Sequence, residues 1–249
     1  LTVPEDSELQ PEECDDGDLK SSDGCSSGCT SEEYGWELLP VVSQVTDTTN
    51  QGMMVYDSAR RRMVLFGGRV AAPVYYSQET WEYDGARWSR KLTDSSPPGR
   101  WQHAMAYDAI RGRVILFGGS NGPTLGDTWE FDGTAWTELS PALAPPGRTQ
   151  HAMVFDTARR RFVLFGGYGS ASLADTWEFD GTTWYQVSTA TTPPARYAHA
   201  MAYDWARGKV VLFGGYGGTR LADTWEYDGT NWTQITPTTS PPARESHAM

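Results

Sequence analysis

Three scarcities narrow the functional class before any motif is considered. No apolar run in the 249 residues approaches the roughly 18 residues that span a bilayer, so membrane insertion is not expected. The first residues, Leu1-Thr2-Val3-Pro4-Glu5, lack the basic and apolar regions of a secretion signal, and we expect any such signal to be absent or already removed. Cysteine is confined to Cys14, Cys25 and Cys29, so the large remainder of the chain has no disulfide framework of its own.

Basic residues are also few relative to acidic ones, but the imbalance is local. The formal net charge is −12, and residues 1–35 hold eleven acidic residues against one basic residue, Lys20. The rest of the chain has 21 acidic and 19 basic residues, a net charge of −2. Because a nearly neutral domain offers no basic footprint to a phosphate backbone, nucleic-acid binding is not expected.

What the chain has in abundance is repetition. A Tyr-Asp or Phe-Asp pair recurs at residues 56–57, 107–108, 155–156 and 203–204, with spacings of 51, 48 and 48 residues. The three extra residues of the first unit fall in the loop 69–79, whose counterparts are the shorter loops 120–127, 168–175 and 216–223. A fixed period of this length is the sequence signature of a repeat architecture.

Each unit of the repeat predicts four short strands. In the second unit these are 104–107, 114–117, 128–131 and a strand that opens at Trp136. Asp132-Gly133 predicts a tight hairpin because both residues tolerate positive φ, and a Pro-Pro pair ends the unit because proline cannot continue a ladder. Four antiparallel strands per unit of about 50 residues indicate the blades of a propeller.

The repeated residues resemble the kelch repeat. Every unit has a glycine pair after its apolar strand, a Thr-Trp-Glu-Tyr/Phe-Asp-Gly run and a second tryptophan; the tryptophan pairs are 81/88, 129/136, 177/184 and 225/232. The Arg-x-x-His-Ala-Met-Ala-Tyr-Asp variant resembles bacterial, especially myxobacterial, kelch proteins. The resemblance implies an all-β kelch β-propeller over residues 36–249, with four-stranded antiparallel blades at about 48–98, 99–146, 147–194 and 195–242.

Partial motifs flank the four complete ones. Residues 36–47 begin with Trp36-Glu37-Leu38-Leu39, which corresponds to a fourth strand, and residues 243–249 match the start of another first strand. Because kelch propellers usually close with five to seven blades, the resemblance implies either a fragment or a ring that another chain completes. An open ring would leave strand edges that invite pairing.

Polar residues that recur at one position of every blade are interpreted as framework. They are His103, His151, His199 and His247; Glu82, Glu130, Glu178 and Glu226; and Arg100, Arg148, Arg196 and Arg244. We expect the histidines to pack, hydrogen-bonded, against a neighbouring blade, and the arginines to pair with the glutamates. The alternatives are a histidine metal ring and a catalytic carboxylate pair.

Ligand binding is expected where the repeat breaks. Alternating strand directions place the loops between second and third strands, and the loops between blades, at the same end of the propeller. The varied residues that we predict to bind a ligand there are Arg69, Tyr75, Tyr76, Trp101, Asn121, Tyr168, Tyr197, Tyr216 and Arg220. Tyr, Trp and Arg are favoured in binding surfaces, although loop residues also vary where nothing constrains them.

The acidic segment 1–35 carries a second resemblance. Residues 12–33 resemble a cysteine-rich repeat of secreted myxobacterial proteins, but its first and closing cysteines are missing, so the connectivity of the three cysteines stays open. The resemblance implies disulfides, an oxidising compartment and a secreted or cell-surface protein. The candidate Ca²⁺ ligands are Asp15, Asp16, Asp18 and Asp23, and a solvated acidic linker is the alternative.

Together these features favour a non-enzymatic extracellular binding or adhesion module whose loop end binds a protein or glycan. A self-assembling structural protein, whose incomplete ring is completed by another chain, is the main alternative, and a hydrolase is a weaker one. Kelch-type copper-radical oxidases need a Tyr–Cys crosslink within the propeller, and this propeller has no cysteine. Apart from the candidate Ca²⁺ site, no cofactor is expected.

Overall fold

The computed structural model describes residues 49–71 and 74–249. The predictions for the acidic segment, namely its cysteines, its Ca²⁺ site and the flanking strand at Trp36, lie outside these residues. Within the described ranges there is no helix long and apolar enough to cross a membrane.

Four sheets of four antiparallel strands follow one another along the chain. Blade 1 contains β2 (Met53–Asp57), β3 (Arg62–Phe66), β6 (Thr80–Tyr83) and β7 (Trp88–Lys91). Blade 2 contains β8 (Ala104–Asp108), β9 (Arg113–Phe117), β10 (Thr128–Phe131) and β11 (Trp136–Leu139). Blade 3 contains β12 (Ala152–Asp156), β13 (Arg161–Phe165), β14 (Thr176–Phe179) and β15 (Trp184–Val187), and blade 4 contains β16 (Ala200–Asp204), β17 (Lys209–Phe213), β18 (Thr224–Tyr227) and β19 (Trp232–Ile235). The prediction of repeated four-stranded kelch blades is confirmed.

A fifth, small sheet was not predicted. It has three strands in the order β1 (Thr49–Asn50), β4 (Arg69–Ala71) and β5 (Val74–Tyr76), so the long segment 69–79 is a strand pair rather than a plain loop. The central strand β4 pairs with β1 on one side and with the returning strand β5 on the other.

The core lies between blades, with one apolar cluster at each junction. At the junction of blades 2 and 3, the small Ala104 and Ala106 of β8 face Met153 and Phe155 of β12, with Trp184 packed beside them. Equivalent clusters join blades 1 and 2 and blades 3 and 4. In blades 2, 3 and 4 the large side chains of the first strand therefore pack toward the preceding blade.

Two further features recur in the repeat, one between neighbouring blades and one within each blade. The second tryptophan of a blade donates its indole N–H to a threonine of the preceding blade, as in Trp136 to Thr80 at 2.9 Å and Trp184 to Thr128 at 3.0 Å. The predicted Asp-Gly hairpins are present, since Gly133 has a φ of +94° and the Asp132 carboxylate accepts backbone N–H bonds across the turn. Blade order and spacing are thus fixed by contacts that recur at every junction.

Candidate binding surface on the loop face

We define the loop face as the end of the blades formed by residues 67–71, 74–79, 118–127, 166–175 and 214–223 together with the described segments between blades. Here one three-residue pairing recurs in each blade. A Gly or His directly precedes the first strand of each blade. The residue two positions before this Gly or His pairs with the residue that follows the glycine pair. That residue pairs in turn with one further along the same loop. The sets are Asn50–Arg69–Tyr76, Trp101–Ser120–Thr124, Thr149–Tyr168–Ser172 and Tyr197–Tyr216–Arg220. These pairings align most of the predicted ligand-binding residues along one rim.

The first aromatic cluster of this rim lies between blades 1 and 2. The Trp101 and Tyr76 rings lie 6.5 Å apart and nearly parallel, with an interplanar angle of 30°. The Arg69 guanidinium lies over the Trp101 ring at 5.2 Å, a cation–π contact. The Trp101 indole N–H is buried without an acceptor among the described residues.

The second aromatic cluster spans blades 3 and 4. Tyr197 lies between Tyr168 and Tyr216, with both centroid distances 5.4 Å. Burial, followed by the nearby Tyr216 and Glu245, raises the pKa of the Tyr197 hydroxyl. At its far end Arg220 pairs with Glu245 at 3.1 Å, so that the cation there is already neutralised.

A polar stretch separates the two clusters. Ser120 and Thr149 are buried at the junction of blades 2 and 3. The junctions on either side carry aromatic rings. Asn121 follows Ser120 and is half-buried, and Tyr75, which pairs with Val70 across β4 and β5, is 40% exposed. Neither Asn121 nor Tyr75 belongs to the two aromatic clusters as defined above. The ligand-binding role of all nine residues stays a prediction.

The rim rests on a buried layer of ion pairs, and here one expectation was wrong. Arg100, Arg148 and Arg196 pair with the aspartate before the Thr-Trp of their own blade, not with the glutamates. Arg148 is fully buried and holds Asp175 through two bonds of 2.6 and 2.8 Å. Arg148 also donates to the carbonyl oxygens of Gly166 and Pro146. Although burial raises the pKa of the Asp175 carboxyl, the bonds and charge of Arg148 lower it overall. The glutamates bond elsewhere, for example Glu82 with Arg60.

The histidines are packed against the preceding blade, as predicted, but they are not hydrogen-bonded. His151 meets Phe117 edge-on at 5.6 Å, and its two ring nitrogens have no partner of hydrogen-bonding geometry within the described chain. His103 and His199 repeat this arrangement. Burial, aided by the charges of Arg100 and Arg196, lowers the pKa of each of these two imidazoles to about 3. No group of three or more His, Cys, Asp or Glu in the described ranges is placed to hold a metal ion.

The central cavity shows a ring of residues that sequence reasoning missed. The residue directly before the repeated Gly or His has a positive φ of 54–60° at every repeat, although it is never glycine. These residues are Gln51, Gln102, Gln150, Ala198 and Ser246. From Gln102 onward, each backbone N–H donates to the carbonyl of its counterpart in the preceding blade, over 2.8–3.2 Å. They line a cavity of about 400 Å³ with the small and methionine side chains of the first strands. Because varied residue types occupy this position, the sequence carries no signal of it.

Comparison with known proteins supports this architecture. The model of the KLHDC2/KLHL20/DRC7 Kelch-repeats domain matches residues 59–249, which is well over half of the chain. A search of curated proteins finds no match. The family model, the four repeated blades and their shared junction contacts agree, and the chain therefore belongs to the Kelch-repeat family described by that model.

Proposed function

We propose that this protein is a non-enzymatic binding module that holds a protein partner on its loop face. The observation that carries the proposal is the composition of that rim: two aromatic clusters, around Trp101 and around Tyr197, set among Ser, Thr, Gly and Asn. Tyr and Trp give large contact areas at low entropic cost, and small polar residues adapt their hydrogen bonds to the partner, which is the composition of antibody binding loops. Kelch-family propellers generally serve as protein-interaction scaffolds.

The chemistry of the rim supports binding over catalysis. Asp127, Asp175 and Asp223 are each held by a buried arginine, which keeps them ionised and engaged rather than available as acid or base. The histidines lie beneath the rim with their nitrogens out of contact with solvent. The proposal extends to a secreted or cell-surface location, which rests on the cysteine-rich resemblance of residues 12–33.

The test uses the residues that sister blades carry at the same positions. Replacing Trp101 with Thr, Tyr168 with Ser and Tyr197 with Thr removes the aromatic clusters while keeping side chains that already occur at those positions in this chain, Thr149 and Ser120. Peptides selected from a random library on the wild-type protein should bind this triple variant at least about tenfold more weakly.

The control is the unfolding midpoint of the variant, which should stay close to wild type because the ion-pair layer is untouched. Equal peptide binding by both proteins contradicts the proposal. Binding of neutral oligosaccharides in place of peptides, lost in the same variant, would make the partner a glycan and overturn the choice of protein.

A second candidate function is assembly, and one observation favours it. On the outer face of blade 1, Met54 and Tyr56 are 49% and 51% exposed, whereas their counterparts Met153 and Phe155 are 6% and 7% exposed beneath the preceding blade. We propose that a second copy of this chain covers this face, since blade 4 offers the matching surface with Thr224 in the position of Thr128. Native mass spectrometry should then show a defined oligomer that the Met54→Glu, Tyr56→Glu variant loses; a monomer at all concentrations contradicts it.

A further inference from the structure

The end of the blades opposite the loop face has its own departures from the repeat. We define the hairpin face by the turns between first and second strands, residues 57–62, 108–113, 156–161 and 204–209, and the Asp-Gly turns between third and fourth strands. Its arginines are mostly ion-paired: Arg60 with Asp57, Arg111 with Asp108 and Arg207 with Asp204. These turns also contact the Asp-Gly turn of the next blade, as Arg60 does with Gly133.

Two arginines of this face are exceptions. Arg61 and Arg160 are each the middle residue of three consecutive arginines, and the flanking Arg60, Arg62, Arg159 and Arg161 all have carboxylate partners. Arg61 and Arg160 are exposed, and neither makes a hydrogen bond, an ion pair or a ring contact in the described part of the chain. Their guanidinium groups are therefore available to a partner.

Both arginines also have an unfavourable backbone conformation. Their φ values are +55° and +58°, in the left-handed region, and blades 2 and 4 have glycine at the same position, Gly112 at +66° and Gly208 at +65°. A left-handed non-glycine residue costs about 1–2 kcal/mol. An arginine that is strained and unpartnered, at a position where sister blades use glycine, is not explained by the stability of the turn, and such outliers point toward function.

The intervening blades present exposed apolar side chains in the same turns. Trp205 of blade 4 is 82% exposed where the sister turns have Ser58, Ala109 and Thr157. Ile110 of blade 2 is 47% exposed where the sister turns have alanine. Going around the face, the exposed residues alternate by blade: Arg61, Ile110, Arg160 and Trp205. Arg and Trp are among the residues that dominate binding energy at protein interfaces.

We infer that the hairpin face is a second interaction surface, and that it fits a protein segment in which carboxylates alternate with apolar side chains. The carboxylates pair with Arg61 and Arg160, and the apolar groups cover Ile110 and Trp205. The surrounding charges on this face are balanced by internal ion pairs, so recognition depends on these two arginines rather than on a general basic field that would attract any polyanion.

The chain supplies its own matched variant. Arg61→Gly, Ile110→Ala, Arg160→Gly and Trp205→Thr give each turn a residue that a sister turn already carries. The probes are a fluorescein-labelled peptide in which Glu and Leu alternate between Gly-Ser spacers, and the same peptide with Gln for Glu. We expect the Glu peptide to bind the wild-type protein, and to bind it more weakly as the salt concentration rises. The affinity of the Gln peptide for wild type, and that of the Glu peptide for the fourfold variant, should each be at least about tenfold lower.

Stability separates a binding role from a structural one. Because glycine relieves the left-handed strain, the Arg61→Gly, Arg160→Gly variant should unfold at an unchanged or higher temperature while losing the Glu peptide. The Trp101→Thr, Tyr168→Ser, Tyr197→Thr loop-face variant should retain that peptide, which keeps this inference independent of the proposed function. A lower unfolding temperature for the double glycine variant, equal affinity for the Glu and Gln peptides, or loss of binding in the loop-face variant would each overturn the inference.

Discussion

At the scale of single residues, the same side chain has different consequences in different blades, and these differences are experimentally useful. Arg148 is fully buried and bidentate on Asp175, whereas Arg244 has the same place in the motif, is exposed and bonds the Pro242 carbonyl. Among the described residues, no aspartate pairs with Arg244. A buried pair and its unpaired repeat copy thus occur in one chain.

Replacing Arg148 with alanine should lower the free energy of unfolding by about 3 kcal/mol, because the half-buried Asp175 carboxylate and the buried Gly166 carbonyl lose their donor. The matched Arg244→Ala variant should change it by less than about 0.5 kcal/mol. Urea unfolding followed by tryptophan fluorescence measures both values. Similar losses in the two variants would show that the ion pair is not what the position contributes.

The buried histidines make the fold sensitive to acid. In the unfolded chain a histidine has its ordinary pKa near 6.5, and in the folded chain the pKa values of His103 and His199 fall to about 3. The unfolded state therefore takes up more protons, so stability is complete above pH 6.5 and decreases as the pH falls toward 3. Each such histidine contributes a slope of about 1.4 kcal/mol per pH unit within that window.

The measurement is the free energy of unfolding between about pH 7 and pH 5.5, above the range in which most carboxylates titrate. In a His199→Leu variant the slope of the unfolding free energy against pH should be shallower than in wild type by the contribution of one histidine, up to about 1.4 kcal/mol per pH unit. The pKa of the half-buried His247 is also lowered by burial, but less than that of His199, so His247→Leu should reduce the slope less than His199→Leu does. A wild-type stability that is flat over this range would show that the imidazoles are hydrogen-bonded in solution.

Residue-level pairing was the part that sequence reasoning predicted least well. The conserved spacing of Arg100 and Glu130 across the repeat suggested an ion pair, but the loop that enters β10 brings Asp127 to Arg100 first. The glycine pair was interpreted as a strand end. Its further role is steric, since a Cβ on Gly167 would lie 2.7 Å from the Cβ of His151. Such distances depend on how the blades pack against each other, and the order of residues along the chain does not reveal that packing.

At the scale of elements, strands and hairpins were predictable and the rim was only partly so. Period-two alternation and the Asp-Gly turns predicted the bounds of β8 to β10 and the start of β11 to within one residue. These signals could be used because strand and turn formation depend on local chemistry. The rim residues were assigned to one end of the propeller because strand direction alternates. Their pairing into Trp101–Ser120–Thr124 and its equivalents was not predicted, because isolated bridges have no hydrophobic period.

The link between neighbouring blades through tryptophan is testable by a double-mutant cycle. Trp184→Phe and Thr128→Val each remove one half of the 3.0 Å bond from the indole N–H to the threonine oxygen, both groups being buried. Each single change should cost about 1–3 kcal/mol, and the double variant should cost about 1 kcal/mol less than the sum. Additive losses would mean that packing around Trp184, and not this bond, joins blades 2 and 3.

At the scale of the whole molecule, the four blades are not equivalent, because the inner two are covered on both faces. Blades 2 and 3 each take part in two apolar junctions, whereas the described residues cover only one face of blade 1, leaving Met54 and Tyr56 half-exposed. In a repeat protein the stability of a unit is approximately its own plus that of its junctions. The described fold thus has a stable middle and less stable ends.

Hydrogen exchange should reveal this gradient. We expect amides of β9 and β13 to exchange slowest, and amides of β2 and β3 to exchange at least about tenfold faster, because opening blade 1 breaks one junction rather than two. The experiment is run on the full 249-residue chain at low and high protein concentration. Protection of β2 and β3 that rises with concentration would identify a second copy as the cover of Met54 and Tyr56. Equal protection of all blades at every concentration would contradict the gradient and show that blade 1 is covered within a single chain.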